Sequence, residues 1–160
     1  MKAKIILSCV IILIMSNSCS SIKSKIANNN KSTMSLLDKL YLENNNSFYI
    51  KSSYTTVSKV WSYHNDTITI FKLKEGKVYE EQNFSSKQLS DKIIVNKNDL
   101  FELDKCIELD GDIFGIRIKQ SDQEILENLP MSIECFVKNQ YKSDFFNSIV
   151  NDIKIYKILE

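Results

Sequence analysis

The stretch from Phe48 to Phe84 constrains this chain more than any other, because it alternates with period two and is punctuated by short turns. Phe48 to Tyr63 is dense in Tyr, Thr, Val and Trp, and His64-Asn65-Asp66 reads as a turn. Thr67 to Leu73 then sets Ile68 and Ile70 against Thr67 and Thr69, and Glu75-Gly76 leads into Lys77 to Phe84. Strand periodicity with turn residues between the runs predicts three antiparallel strands in a meander. Val57, Trp61 and Tyr63 fall at even spacing, so one face of that meander is aromatic.

The flanks supply further elements. Leu36, Leu37 and Leu40 recur at helical intervals behind Ser35 and Asp38, which have capping-box spacing, so a helix of two to three turns is expected, ended by Asn44 to Asn46. Ser85 to Lys92 reads as a polar loop or short helix, followed by a brief buried segment at Ile93, Ile94 and Val95. Leu103, Ile107 and Leu109 alternate with Asp104 and Glu108, Asp110-Gly111 is a hairpin signal, and Phe114, Ile116 and Ile118 return along a partner strand. A helical stretch is expected over Gln123 to Leu129, stopped by Pro130, the only proline. The end reads as a strand from Met131 to Lys138, a helix capped by Ser143, and a strand from Ile153 to Leu159. The expected class is α+β, with a mainly antiparallel sheet and a few short helices, in one domain over residues 34–160.

Ahead of that domain, Lys2 and Lys4 precede an apolar run from Ile5 to Met15, which is a signal-peptide core by charge and length. It is too short to span a bilayer, which takes about 17 to 25 apolar residues. Ser18 precedes Cys19, and Ser20 and Ser21 follow. This arrangement resembles the lipobox of bacterial lipoproteins, in the looser form common in the Bacteroidota, with Ser16 where the usual pattern has Leu, Val or Ile. The resemblance implies a signal peptide over 1–18, a diacylglyceryl group on Cys19, and attachment to the lipid bilayer through it. By the same resemblance, the lack of an acidic run after the cysteine implies a domain at the outer membrane, facing the periplasm. Ser16-Asn17-Ser18 is also a small-x-small site that an ordinary signal peptidase cuts, which would leave Cys19 a free thiol. The polar run over 20–33 is expected to be a flexible tether.

Without the leader the chain carries 19 basic and 20 acidic residues, so nothing in its charge calls for nucleic acid. Cys106 and Cys135 are the two cysteines left in the domain, and in an oxidising compartment they either pair or stay as separate thiols, with Cys135 in the core. His64 is the only histidine, and with no zinc-ligand spacing around it neither a metal site nor a cofactor is expected. Asp110-Gly111-Asp112 lacks the rest of a calcium loop, and Glu80 and Glu81 point to opposite strand faces. No catalytic set emerges, so an enzyme is not expected. The aromatic cluster of Tyr54, Trp61, Tyr63 and Tyr79 is the candidate binding surface, with a buried core face as its alternative. The functional expectation is a binding module of the cell envelope with an envelope protein as partner. The alternatives are an inhibitor or immunity lipoprotein against an envelope-targeting enzyme or toxin, and a small-ligand-binding lipoprotein.

Overall fold

A helix, α1 (Lys2–Leu42), opens the chain and is followed by strands β1 (Asn46–Lys51), β2 (Val57–His64), β3 (Thr67–Lys74) and β4 (Lys77–Ser85). A single-turn helix α2 (Lys97–Leu100) and a 3-10 helix (Phe101–Cys106) precede β5 (Ile107–Gln120) and β6 (Gln123–Met131). Helices α3 (Ile133–Lys138) and α4 (Asp144–Ile155) close the chain. The computed structural model describes residues 2–43, 46–52, 54–85, 95, 97–120 and 123–160, with side chains for all of these except 2–20, 97 and 123.

The six strands form one sheet in the order β4-β3-β2-β1-β5-β6, antiparallel at every pairing, so the fold is α+β. Its turns follow from residues that accept positive φ. Asn65 (φ 45) and Asp66 (φ 61) join β2 to β3, and Glu75 (φ 52) with Gly76 (φ 84) joins β3 to β4. Two-residue turns of this left-handed kind match the right-handed twist of the strands they connect.

Alternation then sends every second side chain to one of two covers. Phe48 and Ile50 of β1, Trp61 and Tyr63 of β2, Ile68 and Ile70 of β3, and Phe114, Ile116 and Ile118 of β5 meet Phe136 of α3 and Phe145, Phe146, Ile149, Val150 and Ile153 of α4. On the opposite face Tyr49, Val60, Phe71 and Leu73 meet Leu37 and Leu40 of α1. Gly115 is the condition for Tyr49 to lie flat there, since a Cβ on it would stand 1.9 Å from Tyr49 Cε1.

Several expectations are corrected. The segment expected to be a flexible tether is helical, and its later part belongs to the domain. Asn29 and Thr33 are buried, Asn29 Nδ2 donates to Ser58 Oγ at 3.2 Å, the Gly76 amide donates to Asn29 Oδ1 at 3.0 Å, and Thr33 Oγ1 lies 2.6 Å from Ser58 Oγ. The face that α1 turns to the sheet is Asn29, Thr33, Leu37, Leu40, which has helical spacing but begins with polar side chains. No glycine or proline interrupts the helix, and Ser35 with Asp38 lies inside it, not at a start. Phe48 to Tyr63 is two strands, β1 and β2, and not one, so the meander has four strands.

Asp110-Gly111 is not a hairpin turn: β5 runs through it, and the β5–β6 hairpin closes beyond Gln120 and Gln123. Leu103, placed by its alternation in a strand, lies in the 3-10 helix. Gln123 to Leu129 is strand and not helix; Ile125, Leu126 and Leu129 mimic helical spacing, but β6 is an edge strand, where Pro130 is tolerated. Met131 to Lys138 is mostly the helix α3, because the Ser132 hydroxyl caps it by accepting from the Cys135 amide at 3.4 Å. Ile153 to Leu159 is not a strand, since Ile153 continues the buried stripe of α4 and turns follow Ile155. The expected loop after Ser85, Ile93, Ile94, and the Asn44 and Asn45 helix stop lie outside the described residues; Val95 is buried.

Two outcomes follow. Gly115→Ala lowers the stability of the chain by about 1 to 3 kcal/mol, the usual range for overpacking a filled core, read as a lower urea midpoint. Hydrogen exchange finds the amides of residues 29–42 protected with the global stability; exchange there as fast as in an unfolded peptide would return this segment to a tether.

Candidate functional site

The part of the molecule that presents chemistry outward is built where the 3-10 helix runs into β5. Glu102 fixes that helix to the start of α4, its carboxylate accepting from the amides of Lys142 at 2.7 Å and Ser143 at 2.9 Å. Four residues on, Cys106 forms a disulfide with Cys135 of α3, their Cα atoms 5.5 Å apart. The Cys106 carbonyl accepts from the Ser132 amide at 2.9 Å. The chain enters β5 held on three sides.

It then leaves the sheet. Ile107 and Asp112 both stand opposite Met131 on β6, so Glu108, Leu109, Asp110 and Gly111 are extra residues that arch away from the ladder. Gly111 seats the return: a Cβ there would lie 2.5 Å from the Met131 carbonyl oxygen, so only glycine lets the two backbones touch. At the crest Leu109 is 93% exposed, between the exposed Glu108 and Asp110, with Ile107 exposed beside it.

Along the same edge strand a groove of about 480 Å³ runs between α2 with the 3-10 helix on one side and β6 on the other. Leu100, Ile125, Leu126 and Leu129 line it, Phe101 projects 67% exposed at its lip, and Asp104, Glu124 and Glu127 stand around it. Residues 97–131 carry nine acidic and four basic side chains, whereas residues 20–96 carry seven acidic and eleven basic. Charge that balances over the whole chain is therefore separated along the sequence, and the segment that carries the arch and β6 is its acidic part. Arg117 is an exception within it, committed to Asp38 of α1, to Glu124 at 2.7 Å and to the Tyr41 ring at 4.5 Å.

The residues singled out from the sequence are dispersed. Trp61 and Tyr63 are core, packed on Phe48 at ring separations of 5.8 and 5.6 Å. Tyr54, in the bend before β2, and Tyr79, in a bulge of β4, are 66% and 56% exposed. The four do not make one binding surface, because alternation along β2 drives the first pair inward. Cys19 lies on the α1 backbone, and its side chain is outside the described residues. His64 is exposed at the end of β2 with Asn65 Nδ2 2.8 Å from its Nε2. Among the described residues no group of three or more His, Cys, Asp or Glu is placed to hold a metal, and no helix is long and apolar enough to cross a membrane.

Sequence reading missed the arch because Asp110-Gly111 has the residues of a tight turn. No signal in the sequence marks it, since Leu109 alternates with Glu108 and Asp110 just as an inward strand residue would.

One buried ionisable pair lies elsewhere. Asp152 of α4 is 2% exposed and accepts from the Tyr63 hydroxyl at 2.6 Å. Burial raises the Asp152 carboxyl above the usual carboxylate range, against the lowering effect of the Tyr63 hydrogen bond. Burial, and then the Asp152 charge, push the Tyr63 hydroxyl far up. A carboxyl raised on folding binds its proton more tightly in the folded state, so its contribution is full at acid pH. That contribution is lost as pH rises from the ordinary aspartate value through the raised one.

No family model matches the sequence, and neither a curated protein nor a solved structure matches it.

Asp152→Asn keeps an acceptor for Tyr63 and removes the titration. Its unfolding free energy, measured by urea titration across the acid range, lacks the decline that the parent shows in that window, and at neutral pH the variant is at least as stable. A variant markedly less stable than the parent at neutral pH would mean that the carboxylate is the favoured form.

Proposed function

We propose that this chain is a lipid-anchored envelope protein, held at the outer membrane through Cys19 and facing the periplasm, whose domain works by binding another envelope protein. The supporting observation is the acid-rich edge, where Phe101, Ile107, Leu109 and Leu126 all stand exposed. Scattered apolar residues on a surface mean little, but several of them along one edge rimmed by carboxylates are arranged as protein contact surfaces are, with apolar anchors inside a polar rim. The resemblance of residues 1–19 to a lipoprotein leader with its cysteine supports an envelope location for that surface.

A second reading, an inhibitor or immunity protein against an enzyme or toxin that acts on the envelope, is favoured by one feature. The arch at Leu109 is convex and braced at its base, a shape suited to entering a partner's cleft. Both readings use the same surface and differ only in what the partner does.

Two measurements test the proposal. With labelled palmitate, the parent incorporates label and fractionates with membranes, whereas Cys19→Ala does neither; equal partition of the two forms would remove the anchor. Amine-independent crosslinking of intact cells, using photoreactive side chains at Phe101 and Leu126, yields adducts with protein. Adducts to lipid alone would end the protein-binding reading.

A further inference from the structure

We infer that the arch Ile107–Asp112 is the docking element of this protein, and that it inserts Leu109 into an apolar pocket rimmed by lysine or arginine on a partner protein. The inference rests on the protein-binding reading above and names the chemistry of the partner.

Exposure alone would not carry it. Among the described residues Leu109 is the most exposed large apolar side chain, at 93%, and it is presented by backbone that is fixed on both sides. On the incoming side are the Cys106–Cys135 disulfide and the Ser132 amide on the Cys106 carbonyl. On the outgoing side, Gly111 rests against the Met131 backbone and Asp112 re-enters the ladder opposite Met131. Holding a loop in its bound shape before binding reduces the ordering entropy that association otherwise loses, which is how short convex loops bind tightly. An apolar side chain that projects from a braced loop can be enclosed in a partner's pocket, and binding energy concentrates in such fully desolvated pockets.

Charge selects the partner. Glu108 and Asp110 flank the anchor directly, and Asp112 and Asp104 are near in sequence on either side. An apolar pocket edged with cations complements this pattern in both shape and sign, and it draws the acidic edge in at long range. A bilayer surface does not, since seating Leu109 among lipid would strip water from two carboxylates and bring them against anionic head groups. Lipid is therefore the competing occupant that the experiment must separate.

The test uses the full-length, membrane-anchored protein in intact cells. A photoreactive p-benzoylphenylalanine replaces Ile107, which leaves the anchor and its carboxylates in place, and parallel probes replace Phe101 and Leu126. The expected result is a protein adduct from position 107, with the crosslinked partner peptide mapping to an apolar segment flanked by Lys or Arg. That adduct falls about tenfold or more with Leu109→Asp and with the pair Glu108→Lys and Asp110→Lys, as truncation of a central anchor requires. These changes are on exposed side chains, so the thermal melt of each variant stays at that of the parent, which separates lost docking from lost fold. An adduct from 107 that is indifferent to those substitutions, or one made with lipid or with an acidic surface, overturns the inference. Protein adducts from 101 and 126 with none from 107 overturn it while leaving the protein-binding reading standing; no protein adduct from any of the three removes both.

Discussion

The contact on which everything else depends is the packing of aromatic rings between the sheet and its C-terminal helices. Phe114 lies 4.7 Å from Phe136, Phe136 lies 5.5 Å from Tyr141, and Phe145 lies 5.0 Å from Phe146, while Phe48 bridges back to Phe145 at 5.9 Å. Rings in offset or edge-on contact contribute about 0.5 to 1.5 kcal/mol each beyond the area they bury. The short elements α3 and the 3-10 helix have little of their own to order them; a six-residue helix is unstable alone. They are in place because Phe136 and Leu103 are sunk into this layer and because the disulfide and Glu102 tie one to the other and to α4. In the chain-entropy account, a crosslink spanning 29 positions restricts the unfolded chain by about 3.5 kcal/mol. The braces at the base of the arch and the hydrophobic core are thus one structure.

The central strands were legible in the sequence because they obey a single rule. From Val57 to Leu73 the apolar residues fall at strand spacing, Trp61, Tyr63, Ile68 and Ile70 to one cover and Val60, Phe71 and Leu73 to the other, and the turns between strands take positive φ, so period and punctuation agree. The helix at Asp144–Ile155 was legible for a similar reason, its apolar stripe being unambiguous. Elsewhere local signals competed with tertiary ones. Gln123–Met131 offers both a helical triad and a strand, and pairing with β5 decided for the strand. In α1 the sheet-facing side chains Asn29 and Thr33 are polar, so apolar periodicity does not reveal them. They are buried because Ser58 and Gly76 provide the hydrogen bonds that make it tolerable.

The candidate site was less legible than the fold, and the reason is general. Burial leaves a periodic trace in sequence, but exposure of a functional side chain leaves none. Trp61 and Tyr63 drew attention as aromatics and proved to be core, while Leu109 looked like one more inward residue of an alternating strand. Only the register shift at Met131, which a single sequence does not encode visibly, turns that strand residue into a crest.

Placement of the arch relative to α1 adds a further constraint. Lys51 pairs with both Ser58 and Ile113, so the start of β2 and the β5 arch share one end of the sheet. Asn29 reaches Ser58 and Gly76 at that same end, and Lys25 reaches Glu75 at 2.9 Å. Upstream of Lys25 the exposed residues of α1 continue past the sheet toward Cys19. Ten residues of helix from Cys19 to Asn29 span about 15 Å at 1.5 Å each, against the wide range a flexible chain of that length would sweep. If Cys19 carries the lipid proposed above, a helical stalk this short would keep the arch and its acidic edge on the side of the domain nearer the anchor. On that same condition, a partner that takes Leu109 would be approached from the lipid side of the domain, which would favour one lying close to the bilayer. With the anchor in place, the helix found where a tether was expected would be part of how the surface is aimed.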